Sequence, residues 1–324
     1  MARSFQKEKV HKMLTTFNDR FLLKFPKNLG HCNTITRRVS TFSSTSPSPK
    51  IGGISMVQGA SRGIGLEFVR QLLERNEREH VFATCRNPNA SSGLLDLKHK
   101  FADRLDILPL DLTIESTIKD SAEAIRTKRG SLNLLINASG ILSLPNEIQP
   151  ETTLSKVEKS ALMATYEINA VGPILVMKAS TLCRNEGKFT QIVSLLSQHM
   201  WPLLRAGGSG GNVAVVANIS ARVGSIEDNS LGGWHSYRAS KAALNQLSKT
   251  AAVEFGKKKN GVICIMLHPG TVDTDLSKPF QRNVAKDKLF TKEFSVGKLL
   301  QIIDGVGLSD NGKFFAWDGH LIPW

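Results

Sequence analysis

The sequence is poor in the residues that build metal sites, disulfides and membrane spans. Its 324 residues include four cysteines, none close to another, so a CxxC metal knuckle, a redox pair and a disulfide framework are not expected. The histidines show no metal-like spacing with acidic residues or cysteines. No run of about 18 uninterrupted apolar residues occurs, so a transmembrane helix and a membrane partner are not expected. There are only two tyrosines, Tyr166 and Tyr237.

Acidic residues are also scarce, and this scarcity is concentrated at one end. The net charge is +14, and residues 1–50 hold ten of the 42 basic residues but only two of the 28 acidic ones. Residues 1–50 are also rich in Ser and Thr, a composition typical of a plastid or mitochondrial transit peptide; a disordered, solvated tail is the alternative. The remaining chain is mildly basic, so nucleic acid is not the expected partner.

From residue 51 onward, short apolar segments alternate with amphipathic ones, which predicts a fold of the α/β class. Amphipathic helices are predicted at 64–76, 114–128 and 235–256. This alternation predicts a single doubly wound Rossmann domain over 51–324, with helices on both faces of a mainly parallel sheet. A segment at about 180–200 interrupts the alternation and is interpreted as an insertion. The seven predicted strands are 51–58, 80–85, 105–109, 132–137, 213–219, 262–267 and 313–317.

A glycine-rich turn follows the first predicted strand and precedes a helix. Glycines permit a tight turn and let the backbone approach a pyrophosphate, and the helix N-terminus offers free N–H groups to it. The spacing is GxxxGxG and not the commoner GxGxxG, so the motif alone is weak evidence. Its position after the first strand of an alternating fold is what favours a dinucleotide site. No acid ends the second predicted strand to hold the ribose of NAD, whereas Arg86 and Arg62 suit the 2′-phosphate of NADP(H). The predicted phosphate-binding residues are Gly59, Ser61, Arg62, Gly63, Ile64 and Gly65.

Tyr237 is followed four residues later by Lys241, within a predicted helix, so both side chains share one helix face. A carbonyl that accepts a hydride must also be protonated on oxygen, and a phenol is a poor catalyst at its ordinary pKa near 10. A neighbouring ammonium is expected to lower the pKa of that phenol. Tyr237 and Lys241 are therefore the predicted proton donor and its helper.

With these motifs in order, the chain resembles the short-chain dehydrogenase/reductases, and within them the C-factor-like (C-signal-like) carbonyl reductases. The resemblance covers residues 51–324. It implies that Asp111 and Leu112 contact the adenine, that Asn137 and Gly140 line the cofactor floor, and that Asn169 anchors a water of the proton relay. It also implies that residues 273–293 form a mobile substrate loop. The motifs are Gly59–Gly65, Asp111-Leu-Thr, Asn137-Ala-Ser-Gly140, Asn169-Ala-Val-Gly, Tyr237-xxx-Lys241 and His268-Pro-Gly-Thr-Val-Asp-Thr274, of which Pro269, Gly270 and Val272 would flank the nicotinamide amide.

The chain departs from the family pattern at several positions. Gln58 replaces the usual Thr of the glycine motif, and Ala138 and Ser139 replace Asn and Ala of the next one. The insertion falls in a helix that, in this family, commonly lines the subunit interface. Whether the chain forms the usual homo-oligomer is therefore left as an open alternative. The family's catalytic serine position is Ala221; Ser220, its neighbour, points the other way on an extended strand unless a bulge turns it.

The sequence thus predicts an NADP(H)-dependent oxidoreductase that reduces a small-molecule ketone or aldehyde, with Tyr237, Lys241, Asn169 and Ser220 as catalytic residues. The alternative is a weak or inactive NADP(H)-binding sensor or scaffold, because Ala221 removes one hydrogen-bond donor from the carbonyl oxygen.

Overall fold

The computed structural model describes residues 53–144, 147–178, 200–210, 212–257 and 261–324. The predicted transit peptide, and the predicted insertion except for its last residue, lie outside these described residues.

Seven strands form one sheet in the order β3-β2-β1-β4-β5-β6-β9, and all neighbouring pairs are parallel. The doubly wound prediction is confirmed, with small differences at strand ends. Strand β4 begins two residues later than predicted because the Leu132 amide bonds the carbonyl of Leu203 rather than a neighbouring strand. The strands are β1 (Ile54–Gln58), β2 (His80–Cys85), β3 (Leu105–Pro109), β4 (Leu134–Asn137), β5 (Ala214–Ile219), β6 (Val262–His268), β7 (Thr271–Val272), β8 (Leu289–Phe290) and β9 (Phe314–Ala316), of which β7 and β8 form a separate pair.

Helices cover both faces of the sheet, because successive residues of each buried strand point to opposite sides. Val57 packs into one core with Phe68 of α1, whereas its neighbour Met56 packs into the other core with Ile118 of α3 and Phe255 of α7. The helices are α1 (Gly63–Arg75), α2 (Ser92–Lys100), α3 (Glu115–Arg129), α4 (Lys159–Tyr166), α5 (Gly172–Met177), α6 (Trp201–Gly207), α7 (His235–Lys257) and α8 (Lys292–Gly305).

Helices α4 and α5 are joined without a break by a π-helical turn, Glu167–Val171. Among the described residues this run, Lys159–Met177, is the one stretch long and apolar enough to cross a membrane by length and composition. An 18-residue window of this run has a mean hydropathy of 1.2, and 44% of that window is buried. Core helices of soluble proteins meet the same criterion, so this run does not decide the question, and the expected lack of a membrane partner stays a prediction.

The strand order reverses between β1 and β4, the place where doubly wound sheets bind their ligands beyond the carboxyl ends of the strands. The Ala138 amide after β4 bonds the carbonyl of Gln58 at the end of β1, at 2.9 Å. The glycine turn and the Asn137–Gly140 loop therefore lie side by side at this crevice.

Candidate active site

The glycine turn has a backbone that only glycine fits. Gly59 and Gly63 have φ of 83° and 59°, in the left-handed region. A Cβ on Gly65 would lie 2.1 Å from the Gly59 carbonyl oxygen, and one on Gly59 would lie 2.4 Å from Ser139 Oγ. The amides of Gly59 and Ala60 both bond the Thr84 carbonyl, which fixes the turn above β2. This bare backbone, leading into the N-terminus of a 13-residue helix, fits a pyrophosphate.

Two of the departures from the family pattern contact each other. Gln58 Nε2 donates to Ser139 Oγ at 2.7 Å, and the Ser139 amide donates back to Gln58 Oε1 at 3.4 Å. Gln58 is buried. The pair joins the glycine turn to the loop after β4, so the two departures from the family pattern are in direct contact.

The two arginines predicted to contact the 2′-phosphate border the same edge of the crevice. Arg86 is exposed just after β2, and the segment that follows it is tied to the glycine turn by Ser91 Oγ, which donates to the Ser61 carbonyl at 3.3 Å. Arg62 forms an ion pair with Asp275 at 3.3 Å, with both side chains more than half exposed. Such an exposed pair contributes about 0–1 kcal/mol, so Arg62 can exchange it for a phosphate at little cost.

The residues after β3 and at the end of β4 occupy two different environments. Asp111 Oδ1 accepts hydrogen bonds from the amide and the hydroxyl of Thr113, which forms a local turn. Leu112 is buried against Gly172, where an added Cβ would lie 2.7 Å from the Leu112 Cβ. The Asn137 side chain is buried, and its Nδ2 donates to Asn218 Oδ1 on β5 at 2.7 Å. Its Oδ1 is buried without a hydrogen-bond partner, and its place on the cofactor floor stays a prediction.

Asn169 lies in the π-helical turn and is fully buried. Its Oδ1 accepts the Ile141 amide at 2.7 Å, while its Nδ2 donates to the Ile141 carbonyl at 2.8 Å and to Ser240 Oγ at 3.0 Å. Asn169 therefore joins the loop after Gly140 to helix α7. π-helical turns recur at functional sites, but the predicted water anchor would have to act through atoms other than this occupied side chain.

Tyr237 and Lys241 lie on one face of α7, with Lys241 Nζ 5.8 Å from the centroid of the Tyr237 ring. Both are buried, and Lys241 Nζ donates to the Ile219 carbonyl at 2.9 Å. A Cβ on Gly140 would lie 3.4 Å from Lys241 Nζ, so the loop after β4 also reaches this face. Burial raises the pKa of Tyr237 above its usual range and lowers the pKa of Lys241 to about 8. Desolvation causes both shifts, and the expected lowering of the tyrosine pKa by Lys241 is not found.

Ser220 is not placed as a hydrogen-bond donor to a substrate. The ladder between β5 and β6 continues regularly, with the Ser220 amide bonded to the Leu267 carbonyl, and no bulge turns the side chain. Its hydroxyl is buried and donates to Asn245 Oδ1 at 2.6 Å, two turns beyond Tyr237 on α7. Ala221, with extended backbone, has the opposite orientation. The geometry gives no support to the catalytic role predicted for Ser220.

The first turn of α7 is held by a buried carboxylate, Glu151, that the sequence analysis did not single out. Glu151 accepts the amide of Ser236 at 3.2 Å and also its hydroxyl, and its carbonyl accepts the amide of Trp234. Trp234 has φ of 52°, the one non-glycine residue with positive φ among those described. The two adjacent glycines before it, Gly232 and Gly233, are the feature of the sequence that indicates an unusual turn, and both have positive φ.

The predicted substrate loop is organised around β7 and β8. Ser277 Oγ donates to the Val272 carbonyl at 2.6 Å, and 3₁₀ turns follow at Lys278–Asn283 and Lys286–Lys288. Pro269 accepts the Ser295 hydroxyl at 2.7 Å. Gly270 has φ of 78°, and a Cβ there would lie 2.5 Å from the Phe290 ring. Within the part of the chain that the structure describes, no group of three metal-binding side chains occurs.

Comparison with known proteins identifies the family. A family model described as "short chain dehydrogenase" matches residues 54–206 and 193–285. The NADPH-bound carbonyl reductase from chicken fatty liver is 32% identical, with a TM-score of 0.69 over 85% of this chain and all of that one. Carbonyl reductase Sniffer of D. melanogaster is 28% identical, with a TM-score of 0.68 over 85% of this chain and all of its own. C-signal of Myxococcus xanthus is 31% identical over 60% of this chain and 94% of that protein.

The chain belongs to the short-chain dehydrogenase family. It is an oxidoreductase of the carbonyl reductase type, and the resemblance stated from its motifs is confirmed.

Proposed function

We propose that the protein reduces a ketone or aldehyde to an alcohol with NADPH, using Tyr237 as proton donor. The carrying observation is the placement of Tyr237 and Lys241 on one buried helix face, beside Gly140 at the crevice of the sheet. The similarity to carbonyl reductases, one of them NADPH-bound, supports the same conclusion.

Bound NADPH supplies the hydride that the carbonyl carbon accepts. The residues of the chain then handle the proton. The Tyr237 hydroxyl, whose pKa is raised by burial, is protonated at neutral pH and can donate to the oxygen that gains negative charge. The phenolate left behind is stabilised by the Lys241 ammonium, whose position is fixed by the Ile219 carbonyl.

The preference for NADP(H) over NAD(H) rests on Arg62 and Arg86 and on the absence of an acid after β2, where Cys85 is followed by Arg86. A guanidinium matches a phosphate in shape and charge. Arg86→Ala is expected to raise the KM for NADPH more than tenfold while leaving the KM for NADH nearly unchanged. Equal changes in the two KM values would contradict the assignment.

The direct test is NADPH oxidation by the full chain with a panel of carbonyl compounds, comparing wild type with Tyr237→Phe. We expect turnover in the wild type and a loss of roughly 10²–10⁴-fold in the variant, which is the contribution of general acid catalysis. Binding of NADPH, followed by its fluorescence, should survive the substitution. Unchanged turnover in Tyr237→Phe would refute the mechanism.

A second function, NADP(H) binding without efficient turnover, is favoured by one observation. Ala221 provides no hydroxyl, and Ser220 is bonded to Asn245. A sensor or scaffold of this kind would bind NADPH tightly yet oxidise it with no member of a broad carbonyl panel.

We also propose that residues 1–50 direct the protein to a chloroplast or mitochondrion, on their basic, Ser- and Thr-rich composition. A fluorescent protein fused after residue 50 should enter one of these organelles, and deletion of the segment should leave it in the cytosol. Organelle entry without the segment would refute this role.

A further inference from the structure

The predicted substrate loop contacts the glycine turn at its first residues, although the two segments are far apart in sequence. Arg62, just before α1, donates from a guanidinium nitrogen to Asp275 Oδ2 at 3.3 Å, across 213 residues. Beside this ion pair, a Cβ on Gly63 would lie 3.6 Å from Thr274 Cγ2, in van der Waals contact. The backbone that fits the cofactor phosphates therefore lies against the turn of the loop that follows β7.

The turn that carries Asp275 is held by hydrogen bonds of its own. The Thr274 carbonyl accepts the amides of Ser277 and Lys278, at 3.0 and 3.1 Å. The Ser277 hydroxyl is buried and donates to the Val272 carbonyl at 2.6 Å, which anchors the turn to β7. The backbone on both sides of Asp275 is thus fixed without Arg62, and the ion pair is an additional contact that can be exchanged.

The Asp275 carboxylate lies between two cations. Its Oδ2 accepts from Arg62, and its Oδ1 accepts from Lys278 Nζ at 3.0 Å. The hydrogen bond from Lys278, with a smaller contribution from the charge of Arg62, keeps the pKa of Asp275 below its ordinary value, so the carboxylate is ionised at neutral pH. If Arg62 turns to another anion, the carboxylate keeps Lys278 as its partner. The exchange therefore leaves Asp275 paired.

We propose that Asp275 competes with the cofactor 2′-phosphate for Arg62, and that it thereby sets the affinity for NADP(H) but not for NAD(H). This inference rests on the proposed function, which assigns Arg62 to that phosphate. A carboxylate and a phosphate both present paired oxygens to a guanidinium, so the two anions seek the same donors. NAD(H) has an uncharged ribose hydroxyl at this position, which does not displace the carboxylate. A residue of the predicted substrate loop is thus a specificity-determining residue for the cofactor.

The test measures the dissociation constants of NADP⁺ and NAD⁺ by calorimetry with the full chain. Asp275→Asn keeps the size of the side chain and removes its charge. The affinity for NADP⁺ should rise roughly 2- to 5-fold, the equivalent of one exposed ion pair, while the affinity for NAD⁺ stays unchanged. When Arg62→Ala is already present, adding Asp275→Asn should give no such gain. Adenosine 2′,5′-bisphosphate, which carries the 2′-phosphate but no nicotinamide, should show the same gain as NADP⁺.

Asp273→Asn is the matched control, because the Asp273 carboxylate lies on the same loop but accepts from Gln281 Nε2. Equal gains in the two variants, or an equal gain for NAD⁺, would reflect only the loss of a negative charge near the cofactor and would overturn the proposal. A lower NADP⁺ affinity in Asp275→Asn would also overturn it, since Asp275 would then orient Arg62 toward the phosphate. The expected gain in a protein that oxidises no NADPH would support the competition and refute the proposed function. Turnover of NADPH with unchanged NADP⁺ affinity in Asp275→Asn would do the reverse.

Discussion

The chain departs from the family pattern on both sides of the crevice, but the contacts of the departing residues differ between the two sides. On the nucleotide side, formed by β1 and β4, Gln58 and Ser139 both differ from the usual residues and hydrogen-bond each other. On the catalytic side, at the end of β5, Ala221 replaces the expected serine and Ser220 is committed to Asn245. The nucleotide side thus brings its two departures into contact with each other, whereas on the catalytic side Ala221 has no hydroxyl and that of Ser220 is bonded elsewhere. The geometry therefore supports the proposed cofactor binding more fully than the proposed turnover.

The strongest way to break the nucleotide side is Gly65→Ala. Its Cβ would lie 2.1 Å from the Gly59 carbonyl oxygen, a backbone atom that cannot move without opening the turn. Overpacking of this kind costs about 1–3 kcal/mol, so NADPH affinity measured by fluorescence should fall by up to about 100-fold. Gly297→Ala in α8 is the control, because its nearest neighbour is a flexible glutamine atom at 3.6 Å. Gly297→Ala should bind NADPH with the affinity of the wild type. Unchanged NADPH affinity in Gly65→Ala would contradict the role of the glycine turn in phosphate binding.

Ala221→Ser should repair the catalytic side. A hydroxyl on the face opposite Ser220 would restore the missing donor, and we expect kcat to rise on the order of a hundredfold. The comparison variant is Ser220→Ala, which should keep kcat but lower the free energy of unfolding by about 1–3 kcal/mol, since Asn245 Oδ1 loses its donor. Loss of turnover in Ser220→Ala, with no gain in Ala221→Ser, would make Ser220 the donor after all.

Lys241→Met tests how burial of the Lys241 ammonium affects stability on the catalytic side. The Lys241 pKa is about 8 in the folded protein and 10.5 otherwise, so the unfolded chain binds more protons between these values. The free energy of unfolding should rise with pH across this window, by at most about 1.4 kcal/mol per pH unit. Urea unfolding at a series of pH values should show that Lys241→Met lacks this rise. Lys249→Met, on the same helix, should retain it; a rise that survives in Lys241→Met would assign it to another group.

The smallest expected effect is the coupling between Gln58 and Ser139. In a double-mutant cycle with Gln58→Met and Ser139→Ala, the free energies of unfolding should show an interaction of about 1 kcal/mol, that of one buried hydrogen bond. The same cycle read through NADPH affinity reports whether the pair also sets the turn. Additivity within about 0.3 kcal/mol would mean that the two departures are independent.

Periodicity and motif order predicted the seven strands of the main sheet and three of the helices, because buried parallel strands and amphipathic helices have strong local patterns. The predicted helix 235–256 is observed as His235–Lys257, and the predicted strand 105–109 as Leu105–Pro109. Tyr237 and Lys241 were found for the same reason, since i, i+4 spacing on a helix is a local property.

What the sequence could not supply were contacts between distant segments. The partner of Ser220 lies 25 residues away on α7, and the partner of Gln58 lies 81 residues away. The Arg62–Asp275 pair and the carboxylate of Glu151 depend in the same way on where loops meet. The rise in the pKa of Tyr237 was not predicted, because the burial that causes it is a property of the folded molecule.

The Glu151 carboxylate has a consequence for how this chain tolerates change in length. It brings together two points 85 residues apart in sequence and fixes the first turn of the catalytic helix at Ser236. Lengthening a loop between two fixed points costs little, about 0.6 kcal/mol for each doubling. A loop in this stretch, outside β5 and the helices α4 to α6, can therefore lengthen at little cost, while Glu151 keeps the start of α7 and with it the position of Tyr237.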